Sequence, residues 1–224
     1  IGPIVILPHA SLAETYNDNV FYLTDENKVD DFVTSISPGV SLQYGQNLLD
    51  SNFIGLDYTL TQNWYAENSD ISSDNHAVTF AINYQKEGKF KLSGTDSIRL
   101  DNTILSGRER SAADYVENIR LVERSYFNDQ YRFDYIFSPK TSLYTSFGYD
   151  AVDYDEKPHY YYTDVFGGRT PYALYDVSRL QGALGFGWQA FPKVKLYGGG
   201  FYGRTSVERN LSNMGVRPDS DFGG

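Results

Sequence analysis

The 224-residue chain has no cysteine, one methionine and three histidines. Without thiols there is no disulfide framework and no thiolate metal site, and the absence also suits an exported protein that needs no covalent staples. Basic residues are scarce. Nineteen Lys and Arg against 29 Asp and Glu leave a net charge of −10. Phosphate binding needs clustered cations, so nucleic acid is excluded as a partner. No run approaches the ~18–20 apolar residues of a membrane-crossing helix, and mean hydropathy is −0.45. A helical membrane protein is therefore excluded. A barrel that crosses with strands is not, because each lipid-facing residue is diluted by a lumen residue. No signal peptide is visible, and Ile1 opens into strand-like sequence, which reads as a mature or trimmed product.

Aromatic residues are plentiful, with 20 Tyr, 14 Phe and 2 Trp. Strands favour them, and so do membrane interfaces, where Tyr keeps its ring in lipid and its hydroxyl wet. The clearest pattern runs from Val177 to Thr205. Leu180, Gly182, Leu184, Phe186, Trp188 and Ala190 fall on one face, and Arg179, Gln181, Ala183, Gly185, Gly187 and Gln189 on the other. This run exceeds the ~5–6 residues of a soluble strand and suits the ~9–11 that cross a bilayer at a tilt. Pro192-Lys193 turns the chain back, and the Trp and Phe near the turn sit where an interfacial girdle would lie. Leu180, Leu184, Phe186 and Trp188 are the predicted lipid-facing residues.

The rest of the chain repeats this rhythm. Strands are predicted over Ile4–Thr15, Phe32–Tyr44, Phe53–Tyr65, Val78–Tyr84, Phe90–Leu105, Leu121–Phe137 and Thr141–Tyr154. Pro8 marks the first as an edge or a bulge, and Asp96 breaks the alternation of the fifth, where a bulge is expected. Short connections near 45–52, 86–89, 138–140 and 192–193 alternate with long ones near 17–31, 67–76, 106–120, 155–176 and 208–224. The segment 106–120 is charged and has room for a helical turn. Outer-membrane barrels sort their loops in this way, with short periplasmic turns and long external loops; a soluble sandwich has no reason to.

The expected fold is therefore all-β: one domain over 1–224, a transmembrane antiparallel up-and-down β-barrel of the bacterial outer membrane. The strand count, about nine, is odd and the chain stops in a loop, whereas single-chain bacterial barrels close with an even number. The chain thus reads as the N-terminal part of a larger barrel, or as one completed by an oligomer or a partner chain.

A soluble sandwich or lipocalin-like barrel also alternates, and the polar face discriminates. It carries Ser, Thr, Gly, Asn and Gln with few, mixed charges, as a lumen does. Predicted lumen-lining residues are Asp57, Arg99, Arg132, Asp134, Tyr144, Asp150, Arg179 and Gln181. Their charges either set ion selectivity through the local field or pair across strands as structural bridges. Tyr144 either stacks on sugar rings or fills space.

Residues 8–21, P-H-A-S-L-A-E-T-Y-N-D-N-V-F, followed by D-D-F-V-T-S-I-S-P-G, resemble the opening of the type 2 outer-membrane β-barrel porin family. The matching positions are Glu14, Tyr16, Asp18, Asn19, Val20, Phe21, Asp31, Ile36, Pro38 and Gly39, within about forty residues. The resemblance implies a larger barrel, often of sixteen or eighteen strands, associated with exopolysaccharide production and with passage of polymer through the outer membrane.

No catalytic constellation is evident. His9, His76 and His159 have neither metal spacing nor a serine elbow nearby. His159, beside Asp153, Asp155 and Glu156, reads as a solvated loop. Asn17, Asp18, Asn19, Asp25, Asp30 and Asp31 offer oxygens for Ca²⁺ but lack the loop spacing of a dedicated site. They read as turn formers. The expectation is a porin or channel without enzyme activity, cofactor or metal, surrounded by outer-membrane lipid and lipopolysaccharide and passing polysaccharide or small solutes. The alternative is a structural anchor whose external loops, notably 155–176, bind a surface lattice or partner protein.

Overall fold

The computed structural model describes residues 4–21, 25, 28–45, 52–105, 120–154, 161–163, 169–171, 175–209 and 220–223. Twelve strands are described. They are β1 (Ile4–Asn17), β2 (Asp31–Gly45), β3 (Phe53–Tyr65), β4 (Ser73–Lys86), β5 (Phe90–Leu105), β6 (Arg120–Ser138), β7 (Thr141–Tyr154), β8 (Tyr161–Thr163), β9 (Arg169–Pro171), β10 (Tyr175–Phe191), β11 (Val194–Arg209) and β12 (Ser220–Gly223). Ten form one antiparallel up-and-down sheet in the order β1-β2-β3-β4-β5-β6-β7-β10-β11-β12; β8 and β9 pair only with each other. Nine of the ten are long, at 13 to 19 residues, and β12 adds four. Among the described residues there is no α-helix, and a 3₁₀ turn lies at Ser69–Ile71.

Register holds the two faces apart. Directly opposed residues share a face, and the ladders align Leu42, Leu56 and Phe80 on one side and Ser41, Asp57 and Thr79 on the other. Within one layer neither face is covered. Among the described residues thirty large hydrophobic ones are exposed, whereas the buried hydrophobic ones are only Val20, Phe21, Ile71 and Val122. The accessible surface is 15074 Å², against roughly 10,000 Å² for a compact soluble chain of this mass. Among the described residues no apolar layer packs against a second large sheet, which is not the arrangement of a sandwich.

The turn side is built from tight hairpins. Between β4 and β5, Glu87 and Gly88 both have positive φ, at 54° and 64°, and Lys89 N–H donates to Lys86 O at 3.0 Å. This is a type I′ turn, whose twist matches that of its strands. The opposite side has the only described cluster of buried hydrophobic residues. There Val20, Phe21 and Ile71 pack together with Val29 and Tyr65, and Val20 N–H donates to Val29 O at 2.9 Å.

Several expectations are corrected. The segment 208–224 was expected to be loop, but β11 runs to Arg209 and β12 pairs with it at Tyr202–Thr205. The loop 155–176 contains the β8–β9 ladder, and β10 begins at Tyr175. The loop 67–76 is shorter than expected, because β4 starts at Ser73 and includes His76. These short polar stretches join strands because a neighbouring backbone is there to pair with. No bulge occurs at Asp96: β5 pairs with β4 and β6 without a register shift, so Asp96 stands on the apolar face. The irregularities fall instead beside the tight turns, between Ile136 and Ser138 and between Gln189 and Phe191. Pro8 lies on β1, which pairs only with β2 among the described residues, and the ladder passes it unshifted. The charged excursion 106–119 and His159, Asp155 and Glu156 lie outside the described residues.

Candidate functional site

All eight residues predicted to line a lumen share the polar face. One register row runs Asp57, Thr79, Ser97, Asn128, Asp150, Arg179, Thr205 across seven strands. Arg99 opposes Tyr126, Arg132 opposes Ser146, Asp134 opposes Tyr144, and Gln181 opposes Gly148. A cavity of about 730 Å³ is lined mostly from this face, by Asn83 and Thr95, Gln130 and Arg132, Gln181 and Phe201 among others, and draws on every strand of the sheet from β3 to β11. A flat sheet cannot bring so many strands around one cavity. The sheet curls toward its polar side.

Two kinds of polar chemistry occupy this concave face. Across β1 to β4 it is mainly neutral and hydrogen-bonded. The Ser35 hydroxyl donates to Asn63 Oδ1 at 2.6 Å, and Ser37 and Thr61 hydroxyls lie 2.9 Å apart. Asp57 is the acceptor at its centre: Ser41 Oγ donates to it, Thr59 Oγ1 donates at 3.2 Å, and His9 Nε2 lies 3.0 Å from its Oδ2. A glycine at position 39 makes room for that imidazole, since a Cβ there would come within 2.2 Å of the His9 ring. Serine, histidine and aspartate meet here, but the Ser41 hydroxyl is committed to the carboxylate rather than to the imidazole. The base–nucleophile contact of a hydrolase is not formed.

From β5 onward the face is ionic. Arg132 grips Asp134 with two hydrogen bonds, Nε to Oδ2 at 2.9 Å and Nη2 to Oδ1 at 2.8 Å, and its guanidinium lies 4.8 Å from the Tyr144 ring centroid. The Tyr144 ring lies over Gly185, where a Cβ would meet it at 2.1 Å. Arg99 stacks on Tyr126 at 5.0 Å. Arg124 and Asp101, which pattern reading did not single out, form a cross-strand pair with both hydrogen bonds at 2.8 Å. Arg179 and Asp150 are opposite in register, yet no ion pair among the described residues joins them. The expected structural bridge is therefore formed by Arg132 and Asp134 and not by Arg179 and Asp150. Asp134 and Arg132 are locked together, whereas Arg179 keeps its charge undivided on the concave surface.

On the loop side the acidic residues are consumed by turns. Asp31 is 3% exposed and accepts from the backbone N–H groups of Ala66, Glu67 and Asn68 and from Asn68 Nδ2 at 2.9–3.2 Å. Desolvation pushes its carboxyl up, but the donors of Asn68, Glu67 and Phe32 outweigh burial and hold it below the ordinary carboxylate value. Asn17 Oδ1 accepts from Asn19 N–H at 3.0 Å, and Tyr16 donates to Asp30 at 2.8 Å. Lys28 pairs with Asp25 at 2.9 Å and Asp18 at 3.7 Å; the hydrogen bond to Asp25, then the two negative charges, raise its ammonium above the ordinary value. Among the described residues no group of three potential metal ligands converges.

The four predicted lipid-facing residues share the apolar face with Ile54, Leu56 and Phe80. The four predicted residues are exposed, Leu184 most of all at 58%. Exposed aromatics gather at both ends of this face, with Tyr16, Phe32 and Trp64 toward the loops and Tyr44, Tyr84 and Trp188 toward the turns. The pattern reading missed two acids on it. Asp96 and Asp129 stand directly opposite each other on β5 and β6, and the only sequence signal was the broken alternation at Asp96. Compared with known proteins, the chain has no match among family models, curated proteins or solved structures.

Proposed function

We propose that this chain belongs to an outer-membrane β-barrel that works as a passive pore, its polar concave face forming the lumen and its apolar face meeting lipid. The observation that carries the reading is the sidedness of the sheet. Most of the large hydrophobic residues that are exposed among the described ones, Leu56, Leu184 and Trp188 included, lie on one face, while the opposite face is mainly hydroxyls, amides and a few charges around a cavity. In water such a surface far exceeds the apolar patch that a monomer tolerates; in a bilayer it is the expected outside of a barrel. The spacing of the aromatics agrees. Phe32 and Tyr44 share the apolar face of β2, twelve residues apart. That is about 40 Å along a strand, or roughly 30 Å across a membrane at a tilt of about 40°, near the thickness of a hydrocarbon core.

The resemblance of residues 8–39 to type 2 porins adds a cargo class, exopolysaccharide or small solutes. Conductance across planar bilayers tests the pore. The protein gives discrete steps, and Arg179→Ala moves ion preference away from anions, because that cation shares its charge with no described partner. Arg132→Ala shifts it less, since Asp134 already neutralises much of its field. Absence of any step overturns the pore and leaves the anchor reading. The ordered β8–β9 hairpin within the longest loop is the observation that favours that alternative.

A further inference from the structure

The polar face carries two phenyl rings where its alternation calls for polar or small side chains. One register row begins at Phe53 on β3, passes Asn83, Ser93, Arg132 and Ser146, and ends at Phe201 on β11. All six line the cavity of about 730 Å³. The two rings stand at opposite ends of that row, and they meet one cavity because the sheet curls. On the other face a phenyl would join the apolar rows; here it faces hydroxyls and amides. Phe201 is 54% exposed although it lines the cavity. The Phe53 ring covers Gly55, where a Cβ would come within 2.5 Å of it. Tyr144 is set apart from this pair: the Arg132 guanidinium lies over its ring, and it is not among the cavity walls.

The neighbouring row supplies the polar partners. It places Thr95, Gln130 and Gln181 in the same cavity, and no hydrogen bond joins either glutamine amide to another described side chain. Each amide offers both donors and an acceptor. Among the described lining residues Arg132 is the only charged one, and Asp134 already holds it through two hydrogen bonds. The cavity therefore has little net charge to attract an ion. Its volume lies within the ~300–1,000 Å³ of small-molecule sites.

This combination selects a ligand class. Phenyl faces are electron-rich and attract polarised C–H groups, while free amides match hydroxyls that both give and accept hydrogen bonds. A pyranose ring has C–H groups on its faces and hydroxyls around its edge. We propose that the cavity is a binding site for a neutral saccharide chain, which stacks on Phe53 and Phe201 and hydrogen-bonds to Gln130 and Gln181. The inference rests on the pore reading above and narrows it: uncharged sugars are held, and acidic ones are not.

The test reconstitutes the full chain in planar bilayers. Maltohexaose, cellohexaose, hexagalacturonate and a polyethylene glycol of similar mass are added in turn at equal concentration. At least one neutral saccharide should interrupt the open current reversibly, about tenfold more tightly than hexagalacturonate or the glycol. Phe53→Ala and Phe201→Ala should each weaken that block about tenfold, the worth of one stacked ring, and Gln181→Ala about fivefold. Should a phenyl variant give no steps, Gln181→Ala, read in the same way, decides. Steps that neither neutral saccharide interrupts better than the glycol overturn the site and leave the pore. Equal block by hexagalacturonate overturns the neutral class, and block that survives the substitutions unchanged overturns the site. No steps from the unsubstituted protein overturn both.

Discussion

Along β10 the two faces of the sheet differ by a single step in the chain. Leu180, Leu184, Phe186 and Trp188 are exposed and apolar, while Arg179, Gln181, Gly185 and Gln189 between them face the cavity side. In a soluble fold these environments would be reversed, with the apolar row buried and the polar row wet. A packed interior contributes little here, because among the described residues the buried hydrophobic ones amount to a small loop-side cluster and Val122. The ladders supply backbone hydrogen bonds, and on the membrane reading proposed above the apolar row contributes by meeting lipid. The difference teaches that the same residue type carries opposite consequences one position apart.

The sharpest way to break this comparison is to place one charge on either face of β10. Leu184→Arg should destabilise the folded protein in vesicles by about 2–4 kcal/mol, read by urea unfolding. Gln181→Arg, on the cavity side, should stay within about 1 kcal/mol. Equal losses at both positions would mean that the faces are not in different media.

A smaller effect is expected where neither face is involved. Asp31→Asn removes the charge that gathers the 66–68 backbone and should lower Tm by roughly 5 °C, with faster proteolysis of the adjoining loops. Its pH dependence has a definite sign. The Asp31 carboxyl is held below its ordinary 3.8 in the fold, so its contribution is complete above that value and disappears as pH falls through the depressed one. Asp31→Asn should therefore flatten stability against pH below about 4. An unchanged acid profile would remove Asp31 as its source. The smallest effect belongs to the turn side. Glu87, at φ 54°, occupies the first central position of a type I′ turn that asparagine fills more readily. Glu87→Asn should stabilise by about 0.5 kcal/mol, measured by the same unfolding assay, with no change in conductance.

Much of this architecture was legible because alternation is a local property. Leu180 to Trp188, the polar row from Arg179 to Gln189, and the parity of short and long connections all come from spacing within a few residues. What local spacing cannot supply is register. His9 and Asp57 are 48 positions apart and meet only because β2 lies between them, with Gly39 opposite His9 and Ser41 opposite Asp57. Arg132 appeared able to pair across strands, yet its carboxylate is two residues along its own strand. Asp96 looked like a local defect until β6 placed Asp129 beside it. Strand β12 and the β8–β9 ladder have too few residues for periodicity to register; pairing with a neighbour, rather than pattern, defines them.

The strand order has a consequence of its own. Each long strand is bonded to the next long strand along the chain, so no ladder depends on a distant crossover and closure of each hairpin brings the next into reach. Such a meander has no keystone. Duplicating or deleting one hairpin would alter the breadth of the sheet without rewiring any other pairing, which makes breadth the property this architecture can vary most freely.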